Sequence, residues 1–140
     1  MNNNLVIIDT SIWILALRKS PLPPVKDEVE HLLVETRVAI VPMIRLELLG
    51  GTKSPDEFDR LKSRLDALHQ IPTDEITWER AARFSFELRQ QGKVIPYTDL
   101  LIGSAAILAN ALLLHADRHF DLMTKGTDLK VRSLVSLVKE

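Results

Sequence analysis

Three short apolar runs narrow what this chain can fold into. Leu5-Val6-Ile7-Ile8, Val38 to Val41 and Ala111 to His115 lack the apolar–polar alternation of a half-solvated strand. Continuous runs of this length mark strands covered on both faces, as in parallel sheets. Helical signals fill the gaps between them. Asp9-Thr10-Ser11 are N-cap types ahead of a helix over Ile12 to Leu17, and Ser20-Pro21-Leu22-Pro23-Pro24 is a loop. Val25 to Glu35 carries Val25, Val29, Leu32 and Leu33 on one side. Pro42 starts a helix that Gly50-Gly51 ends after Leu49, and Ser54-Pro55-Asp56-Glu57 starts another that runs to about His69. Gln70-Ile71-Pro72 reads as a short edge strand. Glu75 to Gln91 reads as a long helix closed by Gly92, and Thr98 as the cap of a helix from Asp99 to Asn110. Asp117 to Met123 is a helical turn, Leu129 to Val131 a last strand and Ser133 to Val138 a terminal helix. Strands alternating with helices predict an α/β fold: one domain over residues 1–140, with a mainly parallel five-stranded sheet flanked by helices.

Composition excludes other classes. A chain of 140 residues buries roughly two-thirds of its surface, and 46% hydrophobic content with a mean hydropathy of +0.04 is unlike a disordered segment. With 18 basic and 19 acidic residues the net charge is −1, without the basic excess of a duplex-DNA binder. There is no cysteine, hence no disulfide, thiolate zinc site or Cys nucleophile, and the chain suits a reducing cytoplasm. Met1 to Leu17 lacks a basic n-region, and the uncharged stretch Leu100 to Ala116 is too short and polar for a membrane span. A cytoplasmic protein without a membrane partner is expected. No G-x-G-x-x-G, P-loop or H-E-x-x-H pattern occurs, and His31 and His69 read as solvated helix residues.

The informative residues are acids in apolar surroundings. Asp9 is the only charged side chain between Met1 and Leu17, and Asp99 the only one between Val94 and Ala116. Asp117 follows the third apolar run, and Glu47 lies in the helix after the second. Each has an ordinary reading alone: Asp9 as a helix cap, Asp99 as first-turn charge, Glu47 as a partner of Arg45 or Arg18, Asp117 as a turn residue. Together they fall at one sheet edge, outside the carboxyl ends of the strands, where open parallel sheets bind ligands. Two carboxylates 4 Å apart repel by roughly 4 kcal/mol at an effective dielectric near 20. Four need a compensating cation, and oxygen ligands select a hard one, Mg²⁺ or Mn²⁺.

Four segments carry a resemblance: Val6-Ile-Ile-Asp-Thr-Ser-Ile-Trp13, Pro42-Met-Ile-Arg-Leu-Glu-Leu-Leu-Gly50, Tyr97-Thr-Asp-Leu-Leu-Ile-Gly-Ser-Ala-Ala106 and Leu113-Leu-His-Ala-Asp-Arg-His-Phe120. In this order, with acids separated by 38, 52 and 18 residues, they resemble PIN domains, most closely the VapC-type ribonuclease toxins of prokaryotic toxin–antitoxin pairs. The resemblance implies an acidic site of Asp9, Glu47, Asp99 and Asp117 that holds Mg²⁺ or Mn²⁺, with the Ser11 hydroxyl steadying it. Asp9 and Asp99 are expected as direct ligands, Glu47 as a ligand through water or a base, and Asp117 as part of a second metal position. His115 departs from the family's usual Thr two residues before the last acid, and the role of His119 is open.

The expected activity is endoribonucleolytic hydrolysis of RNA, tRNA included, with Arg45, Arg118 and Lys125 near the edge as phosphate contacts. The resemblance also implies a cognate antitoxin and a homodimer. The helix carrying Val29, Leu32 and Leu33, with the Pro-rich loop before it, would form part of an apolar groove for the antitoxin. Two alternatives belong to other classes. A non-catalytic PIN module binding RNA or protein is disfavoured by the four intact acids. A haloacid dehalogenase-like phosphatase needs a second Asp two residues after Asp9, where this chain has Ser11. With the four acids ionised, the site carries −4 and the rest of the chain +3.

Overall fold

The computed structural model describes residues 4–35 and 37–138. The apolar runs form the middle of its sheet. The strands are β1 (Leu5–Ile8), β2 (Arg37–Ile40), β3 (His69–Gln70), β4 (Leu112–His115) and β5 (Lys130–Ser133), in the order β3-β2-β1-β4-β5. Every pairing is parallel. β1 is central: Val6 lies opposite Val38 on one side and Leu112 on the other. All four β1 residues are buried, so helices cover both faces of the sheet.

The helices are α1 (Thr10–Leu17), α2 (Pro23–Glu35), α3 (Pro42–Gly50), α4 (Pro55–Asp66), α5 (Glu75–Gln90), α6 (Tyr97–Ala109), α7 (Arg118–Met123) and α8 (Val135–Val138). Ser54 Oγ accepts the Glu57 N–H, and the Glu57 carboxylate accepts the Lys53 N–H, which explains the sharp start of α4. Four local readings are corrected. Thr98 does not cap α6; Pro96, with its fixed φ, starts the helix earlier, and no side chain caps it. His69 is in β3, not in a helix, and contacts the Arg37 guanidinium. Ser133 ends β5 instead of opening the terminal helix, and the last strand begins at Lys130 rather than Leu129.

Two features position the site. The chain moves outward from β1 through β2 to β3, then returns to place β4 on the other side of β1. That reversal opens a crevice between the carboxyl ends of β1 and β4. Asn110, in the left-handed conformation at φ 52°, ends α6 and turns the chain into β4. In α6, Gly103 faces fully buried Met123 of α7, and a Cβ there would come within 2.4 Å of Met123 Cε. The missing side chain lets α7 dock closely against the helix that carries Asp99.

Candidate active site

Asp9 leaves the end of β1, and its N–H continues the ladder to Leu114 O at 2.9 Å. It caps α1: Asp9 Oδ2 accepts the Ser11 N–H at 3.0 Å and the Ser11 hydroxyl at 2.5 Å. The same hydroxyl accepts the Ala116 N–H at 3.0 Å. Ser11 thus ties the first acid to the loop between β4 and Asp117. Asp9 is 4% exposed, and burial pushes its carboxyl above the ordinary carboxylate range, against the pull of the Ser11 bonds.

Asp99 sits in the first turn of α6, and Asp117 caps α7 by accepting the His119 N–H on Oδ1 at 2.9 Å. The His119 ring closes the group, with Nδ1 lying 3.0 Å from Asp99 Oδ2 and 3.0 Å from Asp117 Oδ1. Donor atoms of Asp99, Asp117 and His119 fall within 4.8 Å of one another. Burial, then the charges of Asp117 and Asp9, push the Asp99 carboxyl up to about 7, while His119 pulls the other way. Crowded, partly desolvated carboxylates beside an imidazole fit the needs of a divalent cation.

Asp9 is outside that close group but within electrostatic reach of Asp99 and Asp117. Glu47 is outside it too. It is exposed on α3, where Oε1 accepts the Thr10 hydroxyl at 2.7 Å, next to Asp9 in sequence. Arg45 is held by Asp66 of α4 at 2.6 Å, whereas Arg118 and Lys125 are exposed. The signal for His119 was its place two residues after a capping acid, where the first turn of α7 folds its ring back onto the cap. Fully buried His115 stands in place of the family's usual Thr, and its Nδ1 accepts the Asp117 N–H at 3.1 Å. Its Nε2 lies 3.1 Å from Asp121 Oδ1. Burial lowers the His115 pKa, with Asp121 and Asp117 opposing.

An acidic crevice at the switch point of a parallel sheet defines a class, and comparison with known proteins agrees on it. The family model for the PIN domain matches residues 6–126, and the chain belongs to that family. Its relatives are VapC ribonucleases. Ribonuclease VapC18 of Mycobacterium tuberculosis is 30% identical over 118 residues, covering 81% of this chain and 83% of that protein. Ribonuclease VapC11 of the same species is 29% identical over 133 residues, covering 92% and 98%. Among solved structures, VapBC2 from Rickettsia felis, bound to a DNA fragment from its promoter, superposes with a TM-score of 0.76 at 25% identity. It covers 92% of this chain and 98% of that one. DNA-bound VapBC from Salmonella typhimurium also gives 0.76, at 16% identity and with 94% and 98% covered, a likeness of fold.

Proposed function

We propose that residues 1–140 form a divalent-metal-dependent endoribonuclease, the toxin of a VapBC-type pair, which hydrolyses RNA phosphodiester bonds. The observation that carries this reading is the convergence of Asp99 and Asp117 at the β1–β4 crevice, with buried Asp9 adding its charge. The ribonuclease names of the relatives support the choice of chemistry.

Asp99 and Asp117 would hold Mg²⁺ or Mn²⁺, with buried Asp9 adding its charge and Glu47 at the margin. A bound ion supplies positive charge against the phosphodiester's non-bridging oxygens. Ser11 orients Asp9 and ties it to the Asp117 loop. Glu47, exposed and held only by Thr10 in the contacts described, takes the proton from the attacking water. Arg118 and Lys125 meet RNA phosphates; Arg45 is engaged by Asp66. Structured RNAs, tRNA among them, incubated with and without Mg²⁺ or Mn²⁺, should be cut only with the ion and not by Asp99→Asn. Equal cleavage by wild type and that variant would sink the assignment.

The cognate antitoxin fits a groove of about 800 Å³ between α1, α2 and α4. Trp13, Leu17, Val29 and Leu33 line it, and Arg18, Lys19, Lys26 and Arg64 outnumber the single acid Glu30. Leu32, expected on that face, is buried. The buried Trp13 Nε1 has no hydrogen-bond partner among the described residues. Such a lining suits an amphipathic segment with acidic flanks. Co-purification with the product of the adjacent reading frame, lost on Leu33→Asp, tests the pairing. The chain acts as a homodimer in the cytoplasm, and sedimentation of the purified toxin tests the dimer. Among the described residues no helix is long and apolar enough to cross a membrane.

A further inference from the structure

The choice of Mg²⁺ or Mn²⁺ from sequence rested on a site of oxygen donors alone. The structure adds a nitrogen. His119 Nδ1 is 3.0 Å from a carboxylate oxygen of Asp99 and 3.0 Å from one of Asp117. Two adjacent ligands of an octahedral ion, each about 2.1 Å from it, lie about 3.0 Å apart. The imidazole therefore already stands one octahedral edge from each of the two carboxylates.

The ring is not a wandering surface group. Its backbone N–H donates to Asp117 Oδ1 at 2.9 Å, which locks His119 to the capping acid. The next residue, Phe120, and Met123 one turn on are fully buried, and Met123 seats α7 against Gly103 of α6. The spacing of Asp99, Asp117 and His119 is thus set by helix packing and by a cap, before any ion arrives. With its proton on Nδ1 the ring donates to Asp99 Oδ2. Ligation needs the tautomer with the proton on Nε2, which a half-exposed ring reaches by exchange with water.

Mg²⁺ demands near-ideal oxygen coordination and keeps much of its water, whereas Mn²⁺, although it also favours oxygen, is a first-row transition ion and accepts a single nitrogen donor more readily. We propose that His119 is the third protein donor to the divalent ion and that it biases this site toward Mn²⁺ over Mg²⁺. The proposal rests on the metal-dependent reading above and goes further by assigning the ion.

Calorimetric titration of the full chain with Mn²⁺ and with Mg²⁺ separately tests it, using wild type, His119→Ala and His119→Asp. His119→Ala should weaken Mn²⁺ binding by about 10-fold or more while changing Mg²⁺ binding by less than about 3-fold. His119→Asp should narrow the preference by restoring an all-oxygen set. Pulsed electron paramagnetic resonance of Mn²⁺-loaded wild type should show coupling to a ¹⁴N nucleus, absent in His119→Ala. Unchanged Mn²⁺ affinity in the variant, equal losses for both ions, or no nitrogen coupling in wild type would overturn the assignment of His119 alone. Wild type binding neither ion would overturn the metal-dependent reading and this one with it. The resonance measurement needs only wild type, so it decides even where a variant folds poorly.

Discussion

Asp9 and Asp117 follow neighbouring strands, β1 and β4, and each caps the helix that comes next. Their surroundings differ. Asp9 is sunk at the sheet edge, and the Ser11 backbone and hydroxyl both donate to its Oδ2. Asp117 stands more open, and one of its oxygens meets both the backbone N–H and the ring of His119, which also reaches Asp99. The same local device, an acid ending a strand and starting a helix, yields a buried source of fixed negative charge in one case and an accessible donor in the other. Neighbours decide which: a hydroxyl that closes over Asp9, an imidazole that shares Asp117. The cap reading and the site reading of these acids are therefore not rivals. The cap fixes where the carboxylate is, and the crevice determines what it can do.

The sharpest way to separate the two acids is to remove charge and keep shape. Asp9→Asn and Asp117→Asn both retain a capping side chain, so both should fold. Each should lower RNA cleavage by about 100-fold or more, the scale of losing one preorganised electrostatic partner. Mn²⁺ affinity measured by calorimetry should part them, falling further in Asp117→Asn, whose oxygen lies in the close donor group, than in Asp9→Asn. A larger loss in Asp9→Asn would reverse the roles drawn here.

Ser11 and His115 hold the two acids in place, and smaller effects follow from removing them. Ser11→Ala deletes the hydroxyl donor to Asp9 and leaves the Ala116 N–H without its acceptor. Urea unfolding should show a loss of about 1–3 kcal/mol, the cost of an unsatisfied buried donor. Cleavage should drop less than in Asp9→Asn, because the acid itself remains. His115→Leu removes the acceptor of the Asp117 N–H at similar size, and should cost about 1 kcal/mol with a weakened Mn²⁺ affinity. His115→Asn, which can place an oxygen near the Nδ1 position, should recover most of the Mn²⁺ affinity. Recovery of stability without affinity would make His115 a packing residue only.

Much of this arrangement is legible in the chain, and the illegible parts share a cause. Burial on both faces leaves a compositional trace, so Leu5 to Ile8 and Leu112 to His115 declare themselves as inner strands. Asp9 and Asp117 declare themselves as caps because capping is local chemistry. Thr98 misleads by the same logic: its residue type suits a cap, but the φ of Pro96 had already committed the backbone. What local chemistry cannot reveal is contact between distant segments. Arg45 looks free until α4 brings Asp66 beside it. His119 looks like any polar helix residue until Gly103 lets α7 settle against α6 and Asp99 comes within 3.0 Å of the ring. Glu47 has the right spacing for the acidic set, yet its carboxylate is taken up by Thr10 at the margin of the close group.

Asp99 is the acid that feels both of the others. Its carboxyl is raised to about 7 by burial and by the charges of Asp117 and Asp9, against an ordinary value of 3.8. Between those two values the folded protein binds more protons at this site than the unfolded chain, so ion-free stability falls as pH rises through the window and levels above about 7. Asp9, also raised, acts in the same direction; His115, lowered by burial, acts in the opposite one below its ordinary value of 6.5. Comparing wild type with Asp99→Asn isolates most of the Asp99 share. In chelator, melting temperatures of the two should be similar near pH 4, with the variant increasingly the more stable up to about pH 7 and by a constant margin beyond it. Saturating Mn²⁺ should close much of that margin, since binding at 100 times the dissociation constant stabilises wild type by about 2.7 kcal/mol and leaves the variant nearly unchanged. A difference that does not change with pH would mean that the crowding of these carboxylates is relieved without an ion, and would remove the electrostatic reason for a metal in the crevice.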